Sequence, residues 1–271
     1  MKRIILISTI ILLALAMLVI ASPAYANPDT YSSQPNESNS QDTYINSGFP
    51  TQDYDVSPVV YIGASGGVYR TLIKFDLSSI PTNAVISSAT LSLWVKTDYS
   101  INARNFCVFR SKVDWEEANA TWNKWNYFDT LWETSGGFGA NDAEQADIGC
   151  AAMTASETDG TEKQWSLSTS AIQEVISGAF VNNGFLIKAD TENDDAYGFY
   201  SANESTYTER RPKLVIDYTL PTASPTLIAT ETAIPTLYPT RTPKPTHTPR
   251  PTRTPKPTHI PNCHRRHHHC K

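Results

Sequence analysis

Histidine is missing from most of this chain, because all six histidines lie at or beyond His247. Residues 27–219 therefore contain no imidazole, which excludes a Ser-His-Asp or Cys-His catalytic arrangement and a histidine-ligated zinc site within them. Carboxylates are plentiful, so the residue types present are compatible with a glycosidase that uses two catalytic carboxylates. No spacing in the sequence singles out a catalytic pair, however. The missing histidine favours a non-catalytic function, with a polysaccharide-degrading enzyme as an alternative.

Positive charge is scarce in residues 27–219, which hold 12 Lys and Arg against 26 Asp and Glu, a net charge of −14. Residues 220–271 hold eight Lys and Arg against one Asp or Glu, a net charge of +7. The acidic part is poorly suited to nucleic acid, whose phosphates need cationic contacts, so no nucleic-acid partner is expected. It suits hard cations such as calcium, which take oxygen ligands.

The N-terminal residues 1–26 have the three parts of a secretory signal peptide. Two basic residues precede an apolar run over residues 4–19, and Ala-Tyr-Ala at residues 24–26 forms a small-residue cleavage site. We therefore expect a secreted protein. An uncleaved membrane anchor is the alternative, because the apolar run is long for a signal.

Composition divides the rest of the chain into four parts. Residues 27–41 are rich in Ser, Asn, Pro and Gln and are expected to form a flexible arm, whereas residues 42–219 have the strand patterns of one globular domain. Residues 220–262 form a Pro/Thr-rich basic linker. Residues 263–271 hold four His and two Cys; a small disulfide loop or a disordered end is favoured there over a transition-metal site, because the spacing matches no zinc module.

Two segments alternate apolar and polar side chains with the period of a half-buried strand, residues 69–77 and residues 89–96. The face expected to be buried carries Ile73, Phe75, Leu91 and Leu93. The opposite face carries Arg70, Lys74 and Trp94, which either lie under another segment or meet a ligand.

Eight or nine short strands separated by turns predict an all-β fold, an antiparallel jelly-roll β-sandwich. One short helix is expected within residues 168–180, where Ile172 and Ile176 recur at helical spacing and a serine can cap the first turn. Residues 126–162 have few branched apolar side chains and are expected to form long loops.

Two of the four cysteines lie in the globular part, Cys107 in a strand-like run and Cys150 in a Gly/Ala-rich region. In an exported chain these two could form a disulfide. The alternative is two small thiols that are buried or simply free.

Aromatic side chains crowd the region of residues 115–132. Aromatic rings supply flat apolar faces, and loop carboxylates and amides supply hydrogen bonds; carbohydrate recognition needs both. The alternative for each ring is core or edge packing, because Trp and Tyr bury large areas. The candidate ligand-binding residues are Trp94, Trp125, Trp132, Tyr127, Arg70 and Lys74.

Several short motifs follow one another across residues 42–218, and the most specific is RTLIKFDLSSIP at residues 70–81. The supporting motifs are DTYI at 42–45, ISSATL at 86–91, W-x-E-x-x-x-T-W-N at 115–123, NGFLIK at 183–188, FYS at 199–201 with Glu204, and RPKLV at 211–215. In these motifs the chain resembles the DNRLRE-domain family of secreted β-sandwich modules, which is related to the disaggregatase repeats and to carbohydrate-binding module family 96.

The resemblance implies a jelly-roll sandwich that binds polysaccharide or a cell-surface glycan without catalysis of its own. Analogy with other sandwich modules implies a structural calcium ion, with Asp42 and Glu204 as the first candidate ligands and Asp190 as the next. The acidic charge argues against an anionic polysaccharide ligand unless calcium bridges it. A structural cell-surface or adhesion protein without sugar binding is the alternative function.

The linker repeats a six-residue Pro/Thr unit, with variation, from residue 239 to residue 262. Polyproline II has three residues per turn, so the third and sixth positions of each unit, mostly basic, share one edge with a charge every ~9 Å. The repeat is either a solvated spacer, kept extended by its charges, or a clamp for an anionic cell-wall polymer or membrane surface.

The clamp hypothesis predicts that the protein is retained on an anionic polymer matrix and that added salt releases it, because the contacts are between exposed charges. Retention is measured by salt-gradient elution. A chain truncated after Thr219 should elute early, and equal retention of the two proteins would contradict the hypothesis.

Overall fold

A computed structural model describes residues 27–39 and 41–221. The expected signal peptide, nearly all of the basic linker and the Cys/His-rich end lie outside these residues. The strands in the described part are β1 Asp29–Ser33, β2 Gln41–Asn46, β3 Val59–Ala64, β4 Val68–Lys74, β5 Val85–Asp98, β6 Arg104–Arg110, β7 Gly149–Met153, β8 Glu162–Ser166, β9 Phe185–Ala189, β10 Ala196–Tyr200 and β11 Lys213–Thr219. The helices are α1 Thr169–Ser177 and a 3₁₀-helix at Thr208–Arg210. No helix in the described residues is long and apolar enough to cross a membrane.

All pairings between these strands are antiparallel, and the sheet follows the order β1-β11-β5-β10-β3-β4-β9-β6-β7, with β2 paired to β4 and β8 paired to β5. Strand β5 has 14 residues and links the two halves of this path, because it pairs first with β11 and at its end with β10. The sheet curls, so strands of both halves line one core. The predicted all-β antiparallel fold with one short helix is confirmed, with eleven strands in the described residues instead of eight or nine.

The N-terminal segment forms a strand where the sequence predicts a flexible arm. Strand β1 pairs with β11 along its whole length. Tyr31 packs against the core, and its hydroxyl donates to the carbonyl oxygen of Asp76 at 2.6 Å. The other side chains of β1 are polar and mostly exposed. An edge strand with one inward ring lacks the alternation of a half-buried strand, so the composition did not reveal it.

The main core fills the space that the curled sheet encloses. Ile73 and Phe75, together with Leu91 and Leu93 of β5, are at most 1 % exposed, as the alternation predicts. Trp165 of β8 belongs to the same core, and its indole N–H donates to a backbone carbonyl of β6. This bond satisfies the only polar atom of the buried side chain.

A second cluster, which we call the outer layer, covers the opposite face of β2, β4, β6 and β9. Ile45 and Leu72 point into it and are buried together with Trp115 and Trp132. The indole N–H groups of both tryptophans donate to backbone carbonyls at 2.9 and 2.8 Å. Residues 113–138 thus pack on the sheet, although they contain no strand or helix, and this part of the sheet is buried on both faces.

Helix α1 agrees with the prediction from the sequence. Its N-cap is Ser168, whose hydroxyl oxygen accepts the N–H of Ala171, and its C-cap is Gly178 in the left-handed conformation with φ of 79°. Ile172 and Ile176 lie on the buried side and pack into the main core.

Cys107 and Cys150 form a disulfide bond. They lie directly opposite each other on β6 and β7, and 43 positions separate them in the sequence. The segment between them includes most of the outer layer. The bond therefore restricts, in the unfolded chain, the same segment that must fold back on the sheet.

Removing this disulfide should lower the free energy of unfolding by about 2–4 kcal/mol, because the unfolded chain regains conformational freedom. We expect the Cys107→Ser/Cys150→Ser double variant to melt at a lower temperature than the wild type in differential scanning calorimetry. A reductant should lower the melting temperature of the wild type and leave that of the variant unchanged. Equal sensitivity of the two proteins to the reductant would refute this assignment.

Candidate functional site

A cleft of about 430 Å³ opens at the end of the sheet where β2 finishes and β3 turns into β4. Five tyrosines line it, namely Tyr44, Tyr54, Tyr61, Tyr69 and Tyr99. Phe49 adds a sixth ring, and Asn46, Gln52 and Ser65 add polar groups. We call this surface the tyrosine cleft.

The rings of the tyrosine cleft contact one another as a continuous group. Tyr44 stacks on Tyr54 with ring centroids 4.0 Å apart and an interplanar angle of 22°. Tyr61 meets Tyr44 edge-on at 5.2 Å and lies 5.6 Å from Tyr69. Tyr99 lies 6.4 Å from Tyr61 and is 55 % exposed. The inner rings are therefore held by packing, whereas Tyr99 presents its ring to solvent.

Strand register brings these side chains together. Tyr44 and Asn46 lie on the same face of β2, and Asn46 is directly opposite Tyr69 of β4. The Asn46 side chain accepts the backbone N–H of Gly48 at 2.8 Å and donates to the Tyr54 hydroxyl at 3.4 Å. One side chain of β2 therefore holds both the start of the following loop and one of its rings.

The position of Tyr61 depends on a glycine in the neighbouring strand. Gly198 of β10 lies opposite Tyr61 of β3. A Cβ atom at Gly198 would lie 2.8 Å from the Tyr61 ring and 2.3 Å from the hydroxyl of Thr97, closer than non-bonded atoms come. Only glycine leaves the space that the Tyr61 ring occupies next to β10.

The tyrosine cleft is uncharged, since none of its nine lining residues is acidic or basic. Burial raises the pKa of Tyr44, Tyr61 and Tyr69 above the ordinary value for tyrosine, and neighbouring tyrosines raise it further. Their hydroxyls therefore stay protonated at neutral pH and can both donate and accept hydrogen bonds. The cleft thus combines aromatic faces with neutral polar groups.

The family model for the disaggregatase related repeat domain matches residues 42–216. The chain belongs to this family. The match runs from β2 into β11 and includes all nine residues of the tyrosine cleft. The resemblance to the disaggregatase repeats that the motifs predict is confirmed. A comparison with curated proteins finds no match.

In this disaggregatase-related repeat domain, both predicted cationic ligand-binding residues form ion pairs. The guanidinium of Arg70 binds both carboxylate oxygens of Glu192 at 2.7 Å and lies 5.0 Å from the Trp122 ring. The ammonium group of Lys74 lies 2.7 Å from the carboxylate of Asp114. The face that carries Arg70 and Lys74 is covered by the outer layer, which gives both residues a structural role.

The predicted aromatic ligand-binding residues have different exposures. Trp132 is only 5 % exposed, and its ring packs in the outer layer. Trp94 of β5 and Trp125 are half-buried. Tyr127 is 70 % exposed and lies beside Phe128, which is 80 % exposed. None of the six predicted ligand-binding residues lines the tyrosine cleft.

The three candidate calcium ligands lie in different environments. Burial by itself would raise the pKa of Glu204, but hydrogen bonds from Lys96 and from two backbone N–H groups lower it to about 2. Asp190 accepts the side-chain N–H of Asn105 at 3.0 Å. Asp42 is buried, and one of its oxygens has no hydrogen-bond partner. Within residues 27–39 and 41–221, no three His, Cys, Asp or Glu side chains are grouped in a way that could hold a metal.

The tyrosine cleft was not predicted, although the sequence does contain a signal for it. All five tyrosines between residues 44 and 99 line it, spaced 7 to 30 residues apart. Each of them, considered alone, fits ordinary core packing. Their convergence follows from the pairing of β2 with β4 and of β3 with β10, which composition does not specify.

Glu204, which lies outside the tyrosine cleft, makes the stability of the fold depend on pH in a predictable way. Its pKa is about 2 in the folded protein and 4.5 in its ordinary state, so its contribution to stability is present above pH 4.5 and is lost as the pH falls through about 2. We expect Glu204→Gln to lower the melting temperature by a few degrees at pH 7. The difference from the wild type should narrow steadily between pH 5 and pH 2. Glu209→Gln, which changes an exposed carboxylate, is the matched control; a gap that stays constant over this range would argue against the Lys96–Glu204 interaction.

Proposed function

We propose that this chain is a secreted, non-catalytic carbohydrate-binding module, carried on its Pro/Thr-rich linker, that binds polysaccharide at or near the cell surface through the tyrosine cleft. The observation that carries this proposal is the composition of the cleft: five tyrosines and a phenylalanine surround two side-chain amides and a serine hydroxyl. Sugars present patches of C–H groups beside hydroxyls, so they need apolar ring faces and neutral hydrogen-bonding groups together.

The exposed rim rings are suited to stack against sugar rings. Tyr99 and Phe49 are both more than half exposed, and both lie on loops. The amide of Asn46 and the inner tyrosine hydroxyls lie deeper, and the amide of Gln52 is exposed; all of these groups can bind sugar hydroxyls. The inner rings are held by strand register and by one another, so little ordering is needed when a ligand binds.

The uncharged lining favours a neutral glycan. A uronic acid or sulfate group would find no Lys or Arg in the tyrosine cleft to pair with it. The net charge of −14 on residues 27–219 would also repel a polyanion. We therefore propose neutral hexose or N-acetylhexosamine polymers as the ligand class.

The non-catalytic part of the proposal rests on the missing carboxylates. Most glycoside hydrolases use two carboxyl groups that flank the scissile bond. The tyrosine cleft contains none, and residues 27–219 contain no histidine that could replace them.

The basic linker would add a second, electrostatic contact outside the cell. Its repeating cations suit an anionic cell-wall polymer, which the acidic globular domain would not bind by itself. In this arrangement the linker holds the module near the surface, and the tyrosine cleft selects the sugar.

A structural or adhesion protein is the second candidate function, and one exposed loop favours it. Residues 124–131 form a hairpin-like turn closed by a bridge between Lys124 and Leu131. Tyr127 and Phe128 at its tip and Leu131 at its base are at least two-thirds exposed. Exposed apolar side chains that lie together are typical of contacts with another protein.

A glycan array and isothermal titration calorimetry on the purified protein test the proposed function. We expect binding to one or more neutral polysaccharides and at least a tenfold loss of affinity, about 1.4 kcal/mol, in Tyr99→Ala. Tyr99 is exposed, so this variant should fold normally. Phe128→Ser removes an exposed ring outside the tyrosine cleft and is the matched control.

Three outcomes would contradict parts of this proposal. No binding to any glycan would leave the adhesion function. Equal losses in the two variants would place the binding surface outside the tyrosine cleft. Release of reducing ends from a bound polysaccharide would identify an enzyme.

A further inference from the structure

Among the four buried carboxylates in the described part of the chain, one differs from the others. Asp142 accepts three backbone N–H groups. Asp195 and Glu204 each pair with a cation and accept two backbone N–H groups. Asp42 is only 1 % exposed, yet its carboxylate accepts a single N–H, from Ala202 at 2.9 Å, and its Oδ1 atom has no partner.

A second carboxylate adjoins Asp42. Glu117 accepts the backbone N–H of Asp42 on its Oε1 atom at 3.1 Å and is itself half-buried. Neither carboxylate forms an ion pair with Lys or Arg in the described part of the chain. Burial raises the pKa of both Asp42 and Glu117 to about 7, and their mutual repulsion contributes to the shift at Glu117. Two ionised carboxylates without a positive partner destabilise the fold when they are buried, because burial removes their hydration.

A neutral oxygen belongs to the residue that follows the hydrogen-bond partner of Asp42. Asn203 follows Ala202, whose N–H binds Asp42, and its side-chain N–H donates to the carbonyl oxygen of Asp55 at 2.8 Å. The remaining side-chain oxygen of Asn203 is buried and has no partner. Unpaired oxygens therefore come from two segments that a hydrogen bond joins, β2 and the turn after β10, and β2 is bonded in turn to Glu117.

We propose that Asp42 and Glu117, together with the side-chain oxygen of Asn203, bind a calcium ion. Calcium takes carboxylate, amide and carbonyl oxygens in irregular geometry and accepts water at the remaining positions. Magnesium requires a nearly ideal octahedron and keeps most of its water, so it fits this set less well. Of the three calcium ligands that the sequence suggests, this set retains Asp42. Glu117 replaces Glu204 and Asp190, whose carboxylate oxygens already accept hydrogen bonds.

Bound calcium would join three parts of the fold. Among the described strands β2 pairs only with β4, and the N–H of Asp42 on its other edge bonds to Glu117. The ion would tie this edge to the start of the outer layer and to the turn at residues 201–204. The proposal is independent of sugar binding, because none of its residues lines the tyrosine cleft.

Thermal unfolding of the purified protein tests the site, first after removal of metal with a chelator and then with added calcium chloride or magnesium chloride. We expect calcium to raise the melting temperature and magnesium to raise it much less. Asp42→Asn and Glu117→Gln should each abolish the calcium response. Without metal, both variants should melt at or above the temperature of the wild type, because each removes an unpaired charge. Glu204→Gln is the matched control and should keep the full calcium response.

Terbium luminescence gives a second readout that does not depend on stability. Terbium replaces calcium at oxygen sites, and Trp115 lies two residues before Glu117. Excitation of tryptophan should therefore give terbium emission that calcium displaces, and both carboxylate variants should lose it. The proposal is overturned if calcium changes neither melting temperature nor emission, or if both variants respond to calcium as the wild type does.

Discussion

The pairing of β2 with β4, buried on both faces, is the constraint on which the rest of the structure depends. Alternation along these strands sends Ile73 into the main core and Ile45 and Leu72 into the outer layer, and all three are essentially inaccessible to water. A one-residue slip would exchange the two sets of side chains. The residues between β6 and β7 must therefore fold back over the sheet, and the Cys107–Cys150 disulfide closes that segment.

This constraint also decides which charged and aromatic residues remain free to bind a ligand. Arg70 lies on the covered face, so it requires a partner there, and Glu192 supplies it. The tryptophans of the outer layer are used in packing, with their indole N–H groups bonded to the backbone. Tyr44 and Tyr69, at the end of the same strands, lie on the opposite face. Tyr44 belongs to the main core, and Tyr54, Tyr61 and Tyr69 pack against it, so the tyrosine cleft is built on the edge of the main core and not on the outer layer.

Hydrophobic periodicity in the sequence predicted the strand faces and the helix, which depend on neighbouring residues alone. A period of two predicts which face of residues 69–96 is buried, and a period of 3.6 predicts helix α1. The structure confirms both predictions. Strand β1 was missed because an edge strand needs only Tyr31 to face inward. The tyrosine cleft was missed because Tyr44, Tyr61 and Tyr99 meet only through register and loop closure. The burial of Trp132 likewise depends on which segment covers the sheet, and the sequence around it does not specify this.

Asp42 connects the two proposed sites through the geometry of one strand. Asp42, Tyr44 and Asn46 lie on the same side of β2, so the proposed calcium ligand and the base of the tyrosine cleft are two residues apart along one backbone. Within residues 27–39 and 41–221, strand β2 pairs with β4 alone, and its other edge is held at Asp42 by Glu117. Repulsion between these carboxylates would loosen that edge, whereas a cation would fix it. The Asn46 side chain of the same strand holds the loop that carries Tyr54, so β2 contributes residues to both proposed sites.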